Sequence, residues 1–468
     1  MSTKNNFFFK KIEKYKFKNA IITENGQYIT YQELLNNSKK ISKKLDKKKK
    51  LIFLLGQNNL ETITAYISFI NMGHTLALID FKINEIFLKR LINIYKPDYI
   101  FCEKEKIKIK NLYKQILKYN SHCLFQRREN LKNILHKDLM LLMSTSGSTG
   151  SPKLVKQSYL NVRSNTEKII KYLNITSKDI TITSLPFTYV YGLSVVNTHL
   201  FSGATIVLTN KSMVEKKFWN LIKTYNVNNF SGVPYNYSII NIIGKKGLPK
   251  SLKYTTQAGG KMNYKLIENI LRIYSKHKIK LIQMYGAAEA TSRMSYLKWK
   301  YAKKKIGSIG KAISGGNFYL INKLGKKFNK INKKGELVYK GKNVCMGYAK
   351  HLKDLSLPDA NKGVLKTGDI AHKDSQGFYF IDGRKNRYIK VFGIRVNLSE
   401  LEFILLKKGI DTIMKESGEN KIDVYFKNLL NVKKSIKYLS KVTSFNQNVF
   451  NVKKLSKKNL TNNYKLKI

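Results

Sequence analysis

The chain has 468 residues, with 88 Lys and Arg against 29 Asp and Glu for a formal charge of +59, and is 43% hydrophobic and 12% aromatic. This composition excludes a disordered chain, and the length allows about three domain-sized units or one large α/β body with a small appendage. Cys102, Cys123 and Cys345 stand in no CxxC or Cys/His ligand spacing, which excludes a structural zinc centre and points to reduced thiols in a cytoplasmic protein.

In chain order, Ala20 to Ile29 reads as two short strands around an Asn25-Gly26 turn. Thr30-Tyr-Gln-Glu33 is a capping box that opens a helix toward Leu45. A strand at Leu51 to Leu55, a helix from Glu61 to Met72, and strands at Leu76 to Asp80 and Tyr99 to Phe101 continue the alternation, so the first third reads as a wound α/β layer. The apolar run Leu139 to Met143 is a buried strand, and Ser144-Thr-Ser-Gly-Ser-Thr-Gly-Ser-Pro-Lys153 leaves its end.

That segment has the make-up of a phosphate cradle. Gly147 and Gly150 let backbone N–H groups turn inward, Thr145, Ser146, Ser148 and Thr149 add hydroxyl donors, and Lys153 adds a positive charge. It is not a P-loop of the NTPase kind, because Pro152 precedes the lysine and no Gly-Lys-Ser/Thr ends the loop. The bland alternative is a flexible Ser/Gly linker.

Beyond it, a helix near Asn161 to Leu173 leads to a strand at Ile180 to Thr183 and the segment Leu185 to Leu193. Three strand-then-loop units follow: Phe230 to Tyr235, Tyr254 to Gly260, and Ile279 to Met284 with Tyr285-Gly-Ala-Ala-Glu289. In open α/β sheets ligands gather outside the carboxyl ends of strands, so these loops converge on one pocket. Three of the six prolines, Pro152, Pro186 and Pro234, fall in these segments. From Gly307 short strands and tight turns mark a small β-rich subdomain, with strands at Phe318 to Ile321, Gly335 to Tyr339 and Gly377 to Ile381. Asn397-Leu-Ser-Glu400 opens a helix in a small α+β tail.

Four of these stretches, in this order, make the chain resemble the adenylate-forming ligases, the superfamily of acyl-CoA synthetases, peptide-synthetase adenylation domains and luciferase-like enzymes. They are the Ser144 to Lys153 loop with its Pro-Lys ending, Tyr285-Gly-Ala-Ala-Glu289, Leu365-Lys-Thr-Gly-Asp369, and Gly383-Arg384 through Arg395. The resemblance runs from about Ala20 to about Glu402. It implies a large N-terminal AMP-binding domain over residues 1–384 and a small, shortened C-terminal lobe over 385–468, with a hinge near Lys385 to Arg387. It also implies the activity: a carboxylic acid and ATP form an acyl-adenylate with release of pyrophosphate, and the acyl group then passes to the thiol of CoA or of a carrier protein's phosphopantetheine.

The resemblance carries roles onto residues. Thr145 to Gly150 and Lys153 hold the β- and γ-phosphates, with Thr149 and Lys153 also acting in the reaction. Glu289 ligates Mg²⁺, a hard ion that suits carboxylate oxygens. Asp369 accepts from the ribose hydroxyls, Arg384 lies near the ribose, Gly259, Gly260 and Tyr285 frame the adenine, and Gly286 belongs to the same cofactor-binding set. Lys390 belongs to the hinge-side catalytic set. The acid is lined by Tyr189, Tyr191, Gly192, Val233, Tyr235 and Met284, a set that fits an apolar acyl chain or a small aromatic acid. Activating a carboxylate with ATP brings two anions together, so positioning and electrostatics carry such chemistry.

Two departures bear on turnover. Ala288 stands where these ligases carry a threonine, with Thr291 and Ser292 nearby, and Asn462 or Asn463 stands where a C-terminal lysine is usual, with Lys457, Lys458 and Lys465 in the vicinity. They leave a second reading, a weakened or non-catalytic nucleotide-binding or scaffold protein with this fold. Lysine is abundant along the whole chain and no basic helix face is interleaved with stacking aromatics, so the charge reads as composition and nucleic acid is set aside as a partner. The cationic surface would attract anionic substrates and an acidic carrier protein. No apolar run approaches the ~20 residues that span a bilayer.

Overall fold

The computed structural model describes residues 10–106, 111–131, 134–144, 153–244, 248–262, 264–322, 324–384, 388–406, 408, 410, 412–426 and 431–455. The chain divides into two compact units, one of Met1–Ser144 with Lys153–Gly383 and one that begins at Arg384. The architecture is the mixed α/β body with an α+β lobe that the sequence leads one to expect.

In the first unit, Asn19–Ile22 and Tyr28–Thr30 pair antiparallel across a turn in which Gly26 takes φ 89°. Thr30 then caps the helix Tyr31–Ser42, accepting from the Glu33 amide while Glu33 accepts from the Thr30 amide at 2.7 Å. A cap of this kind contributes about 1 kcal/mol. The helix ends at Ser42, short of the expected Leu45.

The apolar runs Leu51–Gly56, Thr75–Asp80 and Tyr99–Glu103 are parallel neighbours in an eight-stranded sheet. Leu51–Gly56 is buried along its whole length, as expected of a parallel strand covered on both faces. Leu139–Ser144 joins the same sheet, and an unexpected strand, Leu154–Ser158, runs antiparallel beside it. Its half-polar sequence hides a fully buried strand because Lys156 finds internal partners: Nζ donates to the carbonyls of Asp354 and Leu357, both at 3.0 Å. The two strands flank residues 145–152, so Thr145, Ser146, Gly147, Ser148, Thr149 and Gly150 lie outside the described residues.

The second sheet has fourteen strands among the described residues. Asn229–Gly232, Tyr254–Gln257 and Lys280–Tyr285 run parallel within it, with Gly232 opposite Gln257 and Gln257 opposite Gln283. The carboxyl ends of three strands therefore lie side by side. Two expected loops are instead short entries to helices. Val190–Phe201 starts inside the Leu185 to Leu193 segment, and Pro234–Ile243 begins directly after its strand with proline at the first helical position, where the missing N–H costs nothing. The β-rich portion is present, and its strands continue the same sheet through the antiparallel Ser295–Leu297.

The second unit holds the hairpin Tyr388–Val391 with Ile394–Asn397, the helix Leu398–Leu406, a three-stranded sheet, and the helix Val432–Thr443. Leu401, Leu405, Val424, Leu439 and Phe450 fill its core. The expected hinge at 385–387, and Lys457, Lys458, Asn462, Asn463 and Lys465, lie outside the described residues. No helix among the described residues is long and apolar enough to cross a membrane.

Burial in the first unit sets an acid limit on stability. His199 is 3% exposed with Nδ1 at 2.8 Å from the Val195 carbonyl, and His74 is fully buried and accepts from the Lys50 amide at 3.1 Å. Burial pushes both imidazoles down to about 4, with Lys49 adding to the effect at His74. An unfolded histidine takes its proton at about pH 6.5, so between there and about 4 the unfolded chain holds protons that the folded chain does not. Stability is complete above that window and falls as pH falls through it, by about 3 kcal/mol per histidine at most. Urea unfolding at stepped pH should show this slope, and His199→Gln should flatten it by one proton's worth; an unaltered slope in the variant refutes the assignment.

Candidate functional site

Lys153 stands immediately before Leu154–Ser158, and the short strand Tyr348–Ala349 pairs with the start of that strand, Tyr348 opposite Val155 and Ala349 opposite Leu154. The pairing sets the Tyr348 ring beneath Lys153, whose Nζ lies 3.5 Å from the ring centroid. The Tyr348 hydroxyl donates to Glu289 Oε1 at 2.9 Å. One tyrosine thus joins a lysine and a carboxylate that lie far apart in sequence.

Glu289 is only 7% exposed, in the single turn Ala288–Ala290. Its carbonyl accepts from the Cys345 amide at 2.8 Å, and Gln157 Nε2 donates to the Ala288 carbonyl at 2.8 Å, so the turn is held on both sides. Taking a carboxylate out of water costs several kcal/mol unless hydrogen bonds or opposite charge offset it. Here the Tyr348 hydroxyl supplies one such bond. A buried carboxylate of this kind is a donor that Mg²⁺ accepts, and Lys153 suits a polyphosphate beside it.

Next to this cluster, the Tyr285 hydroxyl donates a short hydrogen bond to Asp369 Oδ2. Asp369 is 2% exposed on the strand Val364–Lys373, and its amide donates to Thr367 Oγ1 at 3.1 Å. Gly286 follows Tyr285 where the chain doubles back. A Cβ there would fall 1.6 Å from the Ser292 carbonyl oxygen, so only glycine fits. Thr291 and Ser292 take φ 56° and 109°, uncommon for residues with side chains. Thr291 Oγ1 donates to the Asn343 carbonyl at 2.6 Å, and Ser292 Oγ is buried without a partner among the described residues.

The expected acid-binding residues gather at the same strand ends. A Cβ on Gly259 would lie 2.9 Å from Val233 Cγ1 and 3.0 Å from the Tyr189 hydroxyl, which places those three together. Gln257 Nε2 donates to the Gly260 carbonyl at 2.8 Å. Tyr191 donates to the Thr256 carbonyl at 2.9 Å, and burial pushes its phenol up to about 12, so it stays neutral. Gly192 lets the helix start against Pro186, whose carbonyl oxygen would lie 2.1 Å from an added Cβ. The Tyr172 hydroxyl donates to Met284 Sδ at 2.9 Å. Tyr235 stands 42% exposed on the first turn of Pro234–Ile243. Lys390 belongs to the second unit, on Tyr388–Val391, and Arg384 ends the strand Tyr379–Arg384, its side chain outside the described residues.

Sequence reasoning missed Tyr348, whose role depends on a strand pairing that local pattern does not reveal, and Arg293, a fully buried arginine. The only signal for Arg293 was its type, since nine of the 88 basic residues are arginine.

The sequence profile of the AMP-binding enzyme family matches residues 8–349. The chain belongs to that family. This AMP-binding enzyme is 28% identical over 411 residues to the 2-succinylbenzoate–CoA ligase of Oceanobacillus iheyensis, covering 84% of this chain and 82% of that one. It is 25% identical over 414 residues to the ligase of the same name from Bacillus pumilus, covering 86% and 82%. Its fold is shared with a double mutant of o-succinylbenzoate CoA synthetase from Bacillus subtilis bound with a product analogue, at a TM-score of 0.79 and 22% identity over 98% of this chain and 97% of that one. The AMP-binding enzyme is an ATP-dependent, AMP-forming acid–thiol ligase, and a non-catalytic role is not favoured.

Proposed function

We propose that this ligase activates 2-succinylbenzoate, or a close aryl keto diacid, and transfers it to CoA. The observation that carries the reading is the likeness to 2-succinylbenzoate–CoA ligases along most of both chains. A carboxylate oxygen of the acid attacks the α-phosphorus of ATP, the bond to the bridging oxygen breaks, and pyrophosphate leaves with that oxygen. The CoA sulfur then attacks the acyl carbon, AMP leaves with the oxygen, and the thiol proton passes to a base or water.

In this reading Lys153 offsets the polyphosphate charge, Asp369 accepts from the ribose hydroxyls, and Glu289 would hold Mg²⁺. The ion, when bound, neutralises charge on the phosphate oxygens. Tyr285 keeps Asp369 in place, and Tyr348 does the same for Glu289. The hydrophobic wall of Val233, Tyr191 and Met284 suits an aryl group and excludes water from the reactive adenylate. Free, buried cysteines accord with a cytoplasmic enzyme.

A second acceptor has one observation in its favour. The +59 charge would draw in an acidic carrier protein, and carrier loading would then weaken with salt.

The deciding measurement is ATP–pyrophosphate exchange by the full chain across a panel of acids, followed by mass spectrometry of thioesters after adding CoA. Exchange with 2-succinylbenzoate and formation of its CoA thioester are expected. Nucleotide binding without exchange on any acid would return the chain to a non-catalytic role.

A further inference from the structure

Arg293 is the most unusual side chain in the first unit. It is 1% exposed and among the largest side chains fully removed from solvent. Nη1 donates to the Tyr172 hydroxyl and Nη2 to Ser194 Oγ, both at 3.2 Å, and the guanidinium lies 5.0 Å from the Tyr191 ring centroid. Nε has no partner among the described residues, where Arg293 also makes no ion pair. The nearby Tyr254 hydroxyl is likewise buried without a partner, and the guanidinium acts on it. Asp179 also acts on Tyr254, but its carboxylate accepts from the Thr176 amide at 2.7 Å and from the Thr176 hydroxyl at 3.1 Å.

A guanidinium does not shed its charge when buried, and two neutral hydroxyls with a ring face do not replace its hydration. Such a group is retained where an anion arrives to complete it, and its planar fork matches a carboxylate. Its contacts locate that anion. Tyr191 and Met284, the latter through Tyr172, are walls of the acid pocket, and the Arg293 backbone is pinned by Asn165 Nδ2 at 2.7 Å and Asn343 Nδ2 at 3.1 Å. Arg293 thus lies on the loop that carries Glu289, and that loop is held from outside by the two asparagines.

We propose that Arg293 is the seat for a second carboxylate of the acid substrate, and that it selects diacids over monoacids. The proposal rests on the acid-pocket reading above and adds the residue that sets specificity. Of the two carboxylates of 2-succinylbenzoate, one is activated and the other pairs with the guanidinium, with Tyr254 as an additional donor.

The test compares the full-length enzyme with Arg293→Met and Arg293→Lys in ATP–pyrophosphate exchange. The acids are 2-succinylbenzoate, 4-oxo-4-phenylbutanoate and 2-butanoylbenzoate, the last two each lacking one carboxylate. A second matched series, built on whichever other acid gives exchange, adds and removes a second carboxylate. The natural enzyme should prefer the diacid in kcat/KM by about 100-fold over the better monoacid. Arg293→Met should bring that ratio to about one, with Arg293→Lys between, and the rise in melting temperature that the diacid gives the natural enzyme should vanish in Arg293→Met. A ratio unchanged in both variants overturns the assignment of Arg293 while leaving the proposed function intact. Exchange with other diacids but not 2-succinylbenzoate, still dependent on Arg293, overturns the proposed substrate and supports the assignment. If Arg293→Met does not fold, the ratio in Arg293→Lys decides, and an unchanged ratio there makes the arginine a structural residue.

Discussion

Glu289→Gln should lower ATP–pyrophosphate exchange by about 10²- to 10³-fold while leaving the fold in place, the range seen when one preorganised electrostatic group is removed from a transition state. The amide has nearly the shape of the carboxylate, and its oxygen still accepts from Tyr348, now at 2.9 Å from Oε1. What disappears is the negative charge in a site that is 7% exposed, where water does not screen its attraction for a divalent cation. The effect should therefore fall on turnover at saturating Mg·ATP. Tyr348→Phe makes the complementary control. It keeps the ring beneath Lys153 and removes only the hydroxyl, so a loss of about tenfold is expected, in line with one lost hydrogen bond to a charged group. Equal exchange rates in Glu289→Gln and the natural enzyme would falsify the assignment of Glu289.

Gly286→Ala should be at least as damaging, by a different route. The added methyl carbon would lie 1.6 Å from the Ser292 carbonyl oxygen and 2.8 Å from Arg293 Cα, and these are backbone atoms that no rotamer change can move. Relief requires the loop from Gly286 to Met294 to open, which breaks the bonds from Asn343 Nδ2 to the Ala290 and Arg293 carbonyls. A stability loss of roughly 3 kcal/mol is expected, at the upper end for overpacking because the obstacle is main chain. Exchange activity should vanish with it, since the displaced loop carries Glu289. Chemical denaturation paired with the exchange assay measures both, and a variant with natural stability and activity would show that the close approach is not needed.

Both predictions concern residues that the sequence had already singled out. The motif Tyr285-Gly-Ala-Ala-Glu289 is local, follows an apolar strand, and combines residue types that have a chemical use at a strand end, so it can be read from a short window. The capping box at Thr30 and Glu33 is legible for the same reason: its partners are three residues apart. Leu154–Ser158 was not legible as a strand. Its Lys156 and Gln157 look solvent-facing, and only the distant carbonyls of Asp354, Leu357 and Ala288 make their burial tolerable. The start of the helix Val190–Phe201 was not legible either, since no side-chain cap marks it.

What the sequence determined by itself was the inventory: a phosphate-type loop ending in Lys153, the carboxylates Glu289 and Asp369, an apolar aromatic set, and the order in which they occur. These follow from residue type and local spacing, which act over a few residues. The tertiary structure alone decided which of them meet. Tyr348 joins Lys153 to Glu289 only because its strand pairs with Leu154 and Val155, and Arg293 is deprived of water only because Tyr172, Tyr191 and Ser194 close around it. The physical reason is that hydrogen-bonded pairing and burial are settled between segments more than a hundred residues apart, and the energy of a charged group depends on what surrounds it far more than on its neighbours in the chain.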